Sequence, residues 1–248
     1  MRGNRRLSLL AVPLLLAAVA CAPEDDNDTQ GAESPAGTDS AAACKPENLP
    51  LKTKGQLTVA TSSPAYEPWF VDNDPSNGKG YESAVAYAVA EELGFSKDQV
   101  TWVDVPFNNS YAPGAKDFDF DVNQISITPA RAKVVDFSDG YYQAAQGVIV
   151  LKGSEAAKAT SLADLKDLKL GAQTGTTSLT AINDVIQPTQ EPLVFDDTNA
   201  AKQALLNKQV DAILADLPTA FIITAVEIPQ GTIVGQLQPM PGEPEEFG

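Results

Sequence analysis

Histidine is absent from all 248 residues. That removes the side chain most often used as a general base and as a metal ligand near neutral pH. Cysteine is almost absent too, with only Cys21 and Cys44. With no imidazole and at most two thiols, a four-ligand zinc site of the usual kind cannot be assembled, so no metal is expected. The chain contains no G-x-S-x-G turn, no phosphate-cradling glycine loop and no G-x-G-x-x-G. These absences count against acyl-transfer, nucleotide and dinucleotide chemistry, so no catalytic residue and no cofactor is expected. Basic charge is also scarce, at 17 Lys and Arg against 33 Asp and Glu. That balance argues against nucleic acid or a bare anionic membrane as partner.

What basic charge exists is unevenly placed. Arg2, Arg5 and Arg6 begin the chain and precede a 14-residue apolar run over 7–20, too short to span a bilayer comfortably. Ala18-Val19-Ala20 then leads into Cys21. The order of basic start, apolar stretch and small residues is that of a secretory signal, assigned to 1–20. A cysteine directly after the cut is what bacterial lipoprotein processing requires, so Cys21 is the expected lipidation site. Ala18 stands where the lipobox usually has Leu, and Ala18-x-Ala20 also suits ordinary cleavage. Arg5-Arg6 hints at twin-arginine export, but Ser8 stands where that motif wants a bulky apolar residue, and ordinary export is favoured. Cleavage leaves 17 − 3 = 14 basic residues against 33 acidic, a net charge of −19. Residues 21–52 read as a tether: 22–43 are rich in Asp, Ser, Gly and Ala and hold no large apolar side chain. Cys44 closes that stretch and, in an oxidising compartment, wants a partner other than an acylated Cys21.

From Gly55 onward strands and helices alternate. Strands are expected over 57–61, 100–105, 120–127, 147–151, 169–172, 193–195 and 211–215. Helices are expected over 81–93, over a short turn opened by Pro129, over 161–168 capped by Ser161, and over 177–186, 198–206 and 219–226. This βα rhythm predicts an α/β fold with mainly parallel sheets flanked by helices. A junction at 141–146 divides it into lobe 1 over 53–143 and lobe 2 over 144–235, with 142–145 as the expected hinge.

Arg131 is the only arginine beyond residue 6, against 13 lysines. A guanidinium in a chain that otherwise uses lysine suggests a need for its planar, two-pronged fork, which suits a carboxylate. Around it runs Asn123-Gln124-Ile125-Ser126-Ile127-Thr128-Pro129-Ala130-Arg131, then Val134-Val135-Asp136-Phe137-Ser138. This stretch resembles the polar amino-acid-binding branch (family 3) of the periplasmic-type extracellular solute-binding proteins of ABC transporters. The preceding Asp117-Phe118-Asp119-Phe120-Asp121 resembles the form in a Gram-positive actinobacterial subgroup of lipoproteins. Further likenesses fall in the family's order: Pro64-Ala65-Tyr66-Glu67-Pro68-Trp69-Phe70, Gly80-Tyr81-Glu82, Leu162-Ala163-Asp164-Leu165, Gly171-Ala172-Gln173-Thr174-Gly175-Thr176-Thr177, and Val210-Asp211-Ala212-Ile213-Leu214-Ala215-Asp216.

The resemblance implies a two-lobed, type II periplasmic-binding-protein-like fold. Its implied function is that of a monomeric receptor that binds an amino acid between the lobes and delivers it to a membrane permease. It implies that Arg131 clamps the ligand carboxylate, with the loop of Gly175, Thr176 and Thr177 opposing it and Ser126 adding a contact. Asp216 takes the ammonium, and Tyr66, Trp69 and Phe107 form an aromatic wall. Glu82 is expected to support the first turn of its helix. Ser63 replaces an acidic residue found in binders of cationic amino acids, and Ala84 departs from the family as well. Asn108, Asn109 and Gln124 could serve a neutral polar side chain or a turn. The family returns to lobe 1 for a last segment, which 236–248 would only begin. Lobe 1 is therefore expected to lack its final elements, and the partner of Cys44 to lie in that portion. An enzyme on the same fold, with Glu67 or Glu82 as acid, and a sensory ligand domain are the competing functions.

Overall fold

A computed structural model describes residues 45–238 and 245–248. The expected signal, Cys21, Cys44 and most of the tether lie outside the described residues. Among those described, no helix is long and apolar enough to cross a membrane.

Strand β1 (Leu57–Thr61) is buried along its whole length. It pairs in parallel with β2 (Val100–Asp104) on one side and with the two-residue β3 (Phe120–Asp121) on the other. Helix α1 (Tyr81–Glu92) joins β1 to β2; its Ala86 and Ala90 face the core, and Gly94 at φ +84° ends it. The core under this sheet is aromatic: Trp69, Phe70 and Phe95 pack with Leu57 and Val59. A short helix α2 (Phe107–Ser110) follows β2.

A second sheet has five strands in the order β7-β6-β8-β5-β9. They are β5 (Gln146–Leu151), β6 (Leu170–Gln173), β7 (Leu193–Phe195), β8 (Ala212–Asp216) and β9 (Gly231–Leu237). The helices between them are α3 (Leu162–Leu165), α4 (Thr177–Thr180), α5 (Thr198–Leu206) and α6 (Leu217–Ile222). Helix α4 continues as wider π turns over Ala181–Ile186, and α6 over Ile223–Glu227. Val148 and Val150 join one apolar cluster and the intervening Ile149 joins another. Both faces of this sheet are thus covered, which explains the unbroken hydrophobic run of β5.

Between the sheets β4 (Tyr142–Ala144) pairs antiparallel with β10 (Glu245–Phe247). Phe247 is 1% exposed and packs on Trp69 and Tyr142. Only Ala145 separates β4 from β5, so the chain passes almost straight from this ribbon into the five-stranded sheet.

The fold is the mixed α/β architecture expected, with three differences. β5 runs antiparallel to both β8 and β9. β9 and the β4–β10 ribbon have no counterpart in the sequence periodicity. The strand expected over 120–127 stops at Asp121, because Gln124 turns into the left-handed region at φ +48° and its N–H leaves the ladder for the Glu82 carboxylate, 2.7 Å away.

Gly80 starts α1 at φ +93°, and a Cβ there would sit 2.4 Å from the Trp69 carbonyl oxygen. Gly114, at φ +115°, has open space around the same position. Gly80→Ala is expected to cost about 2–4 kcal/mol and Gly114→Ala about 1 kcal/mol, read as midpoints in urea unfolding.

Candidate functional site

The carboxyl ends of the strands converge on one crevice. β1 runs out into Ser62, β3 into Asn123 and Gln124, β6 into the turn before Thr176, and β8 ends in Asp216; these residues line the crevice. Loops at such strand ends can present side chains and free N–H groups without breaking the ladder, which is why α/β sheets bind ligands there.

Arg131 begins a single 3₁₀ turn, Arg131–Lys133, and is only 7% exposed. Its Nη1 donates to the Ser126 carbonyl and its Nη2 to the Gly175 carbonyl, each at 2.8 Å. Its guanidinium lies 4.3 Å from the ring centre of Tyr111 and 5.7 Å from that of Phe107. One side chain therefore ties the segment after β3 to the loop after β6. Burial lowers the guanidinium's pKa, and the neighbouring Tyr111 opposes that shift. Glycine suits position 175: it sits at φ +73°, and a Cβ would fall 1.9 Å from Asn108 Oδ1 and 2.5 Å from the Tyr111 hydroxyl, so a larger residue would be strained and would push those side chains aside.

Beside this brace, Ser126 Oγ and Thr177 Oγ1 are 3.1 Å apart. Both hydroxyls donate to the Glu245 carboxylate, and Gln146 Nε2 donates to its other oxygen. The Gln146 amide is held in turn by Ser178 Oγ, which donates to its Oε1. Asp216 caps α6 by accepting from the Thr219 N–H at 2.9 Å. Burial pushes its carboxyl up to about 6; the Thr219 bonds pull it down and the charge of Glu245 adds to the rise.

A sequence profile of the bacterial extracellular solute-binding proteins, family 3, matches residues 57–220, which include every one of these strand ends. The chain belongs to that family. The glutamine-binding protein GlnH of an ABC transporter in Bacillus subtilis is 30% identical over 217 residues, covering 85% of this chain and 72% of that protein. A probable histidine-binding protein of Campylobacter jejuni is 29% identical over 170 residues, covering 66% of this chain but 61% of its own length, under two thirds. Among solved structures, holo ArgBP from T. maritima is 27% identical with a TM-score of 0.64, covering 79% of this chain and 82% of that one. The ancestral amino acid-binding protein AncCDT-1, described as a precursor of cyclohexadienyl dehydratase, is 29% identical with a TM-score of 0.65, covering 78% of this chain and 80% of that one.

In this family 3 protein Tyr66, Phe107, Thr176, Thr177 and Asp216 all line the crevice. Ser126 and Arg131 are not among the lining residues: Ser126 Oγ is 3.1 Å from the lining Thr177, and Arg131 bonds the carbonyl of Gly175, the residue before the lining Thr176. Thr176 also caps α4, accepting from the Leu179 N–H at 3.2 Å. The phenol of Tyr66 is pushed up to about 12, first by burial and then by the Asp197 carboxylate. Trp69 is placed differently. It is 1% exposed within the aromatic core, and its indole N–H donates to Thr219 Oγ1 at 2.9 Å. It does not line the crevice and touches it through two residues that do, Thr219 and Phe247.

Glu82 differs from its expected role. It is fully buried, and its carboxylate accepts from the Gln124 N–H, the Gln124 side-chain amide and the Tyr141 hydroxyl. It shapes the loop after β3 rather than the end of its own helix. Glu245 and Gln146 were not foreseen as site residues. Gln146 opens a hydrophobic run and reads as its edge, while Glu245 is one acid in Glu245-Glu246, and only the pairing of β10 with β4 turns it inward.

Burial is the leading cause in three raised carboxyls: Glu82 at about 7, Asp121 at about 8 and Asp216 at about 6. A carboxyl whose folded value exceeds its unfolded value holds its proton more tightly when folded. Its stabilisation is full at acid pH and drains away as pH climbs from the unfolded value to the folded one. The melting temperature should therefore fall between about pH 5 and about pH 8, and Glu82→Gln should flatten the part of that slope below about pH 7. Thermal melts by circular dichroism across that range would check both.

Proposed function

We propose that this chain is the exported receptor of an amino-acid ABC importer, binding its ligand in the crevice between the two sheets. The observation that carries this reading is a crevice lined by Thr176, Thr177 and Asp216, next to which the buried Arg131 ties the Ser126 and Gly175 carbonyls together. Each Nη of a guanidinium has a second N–H, so the fork keeps donors for a ligand carboxylate. Thr177, Thr176 and Ser126 would complete that subsite, and Asp216 would take the ammonium. The ligand side chain would lie between Tyr66 and Phe107, toward Ser62 and Asn123. Asn123 is 2% exposed, its Oδ1 accepts from Ser62 Oγ, and its Nδ2 has no partner. A buried amide donor of that kind favours a ligand carrying a carbonyl in its side chain, such as glutamine.

On this reading residues 53–143 and 144–235 move as two lobes about 142–145, and ligand favours the closed form because each lobe supplies part of the contacts. The partner is a membrane permease, the receptor is monomeric, and Cys21 carries the lipid that holds it at the cell surface. Catalysis in the same crevice is the second reading. It is favoured by the likeness to AncCDT-1 and by Asp216, a crevice carboxyl at about 6 that could serve as a general acid. Product formation from a prephenate-like acid would support it.

Isothermal titration of the twenty amino acids tests the receptor. At least one should bind, with glutamine foremost. Arg131→Ala should weaken that ligand about 100-fold or more, Arg131→Lys about tenfold because the fork is lost, and Asp216→Asn about tenfold or more. Full affinity in Arg131→Ala would remove the carboxylate role and with it the proposal.

A further inference from the structure

The receptor reading asks Ser126 and Thr177 to hold a ligand's carboxylate, yet both hydroxyls already donate to a carboxylate of the chain itself. Glu245 is 6% exposed and accepts from Ser126, Thr177 and Gln146. These donors come from the segment after β3, the first turn of α4 and the first residue of β5. One carboxylate thus bridges the parts of the molecule that a ligand carboxylate would have to bridge. Glu245 also lines the crevice in which Asp216 lies, and β10 carries it there by pairing with β4.

Two carboxylates cannot share this place cheaply. Each hydroxyl has a single proton to donate. Like charges a few ångström apart in a buried setting repel strongly, and no lysine among the described residues lines the crevice to offset a second one. We propose that Glu245 is an internal occupant of the carboxylate subsite, which an incoming amino acid must displace. This rests on the receptor reading given above. Displacement would release the Ser126 and Thr177 hydroxyls to the ligand and turn the Glu245 side chain out of the crevice. The free protein is held partly closed by its own side chain, and the apparent affinity is lowered by the fraction of molecules in which Glu245 is seated. Glu245 therefore sets the affinity threshold of the site and favours ligands whose carboxylate bonds strongly enough to Arg131 to replace it.

Two measurements on the full chain test this. The first is titration of the wild type, Glu245→Ala and Glu245→Gln with glutamine and with glutamine α-amide, whose carboxylate is blocked. Both variants should bind free glutamine about tenfold or more tightly than wild type, while the blocked analogue should gain nothing. Weaker binding in the variants would make Glu245 a direct ligand contact and overturn the proposal, as would unchanged binding. The second needs no ligand: small-angle scattering of the free protein should give a larger radius of gyration for Glu245→Ala than for wild type. Equal radii from folded samples would overturn the seated-carboxylate device. If no amino acid binds any of the three proteins, the receptor reading fails, and scattering still decides whether Glu245 clamps the two halves.

Discussion

A guanidinium taken out of water must be met by oxygen on several sides, and the rest of the crevice is arranged around that demand. Arg131 meets it with main-chain carbonyls from two distant parts of the chain, Ser126 and Gly175, and with the face of Tyr111. Those contacts fix where the loop after β6 can lie relative to the segment after β3. The approach is close enough that a Cβ at 175 would displace the Asn108 and Tyr111 side chains, and the Tyr111 hydroxyl donates to the same carbonyl at 3.0 Å. Lysine could not replace this brace. A single ammonium presents no planar fork to two carbonyls that arrive from different directions.

The placement of Ser126 depends in turn on a second buried charge. Glu82 is fixed by α1, and it takes the Gln124 N–H that would otherwise extend β3. The chain is forced into the left-handed region at Gln124, which is φ +48° and not a glycine. That strain is offset by three donors to one carboxylate. The result is a strand that ends early and a loop that carries Asn123, Gln124 and Ser126 toward the crevice. Helix, loop and site are therefore one unit. Tyr141, which also donates to Glu82, ties that unit to the ribbon of β4 and β10.

This dependence explains what could be read from the sequence. β1, α1 and β5 were legible because each has a local cause, an apolar run or an alanine face with a glycine stop; the structure adds the Asp197 carboxylate as the cap of α5. Arg131 stood out as the one arginine beyond residue 6 within a motif-like neighbourhood, and the structure shows its fork spent on two main-chain carbonyls. The early end of β3 was not legible, because it is imposed by Glu82 from about forty residues away, and Val122, Ile125 and Ile127 continue an acceptable strand pattern. The inward turn of Glu245 was hidden for the same reason: its environment is made by residues 126, 146 and 177. Trp69 shows the opposite failure. Its place in a motif suggested a wall of the crevice, but a large ring beside Tyr142 and Phe247 is worth more as core.

The charge of the crevice follows from these placements. Asp216 and Glu245 both line it, and the Arg131 guanidinium lies near enough to feel the Glu245 charge, in a protein already rich in acid. Burial is the main reason the Asp216 carboxyl is raised to about 6, and the nearby Glu245 charge adds to that rise. A zwitterion entering such a site brings one charge that helps and one that hurts. Its ammonium relieves the repulsion at Asp216, whereas its carboxylate adds a third negative group unless Glu245 leaves. On the proposed reading, entry of the ammonium and departure of Glu245 would be coupled through the same electrostatic imbalance, with no need for a separate signal between the two ends of the ligand. An amine without a carboxylate would satisfy Asp216 and leave Glu245 seated. On that reading a ligand bearing both charges would neutralise the crevice and also take over the bridge between its walls.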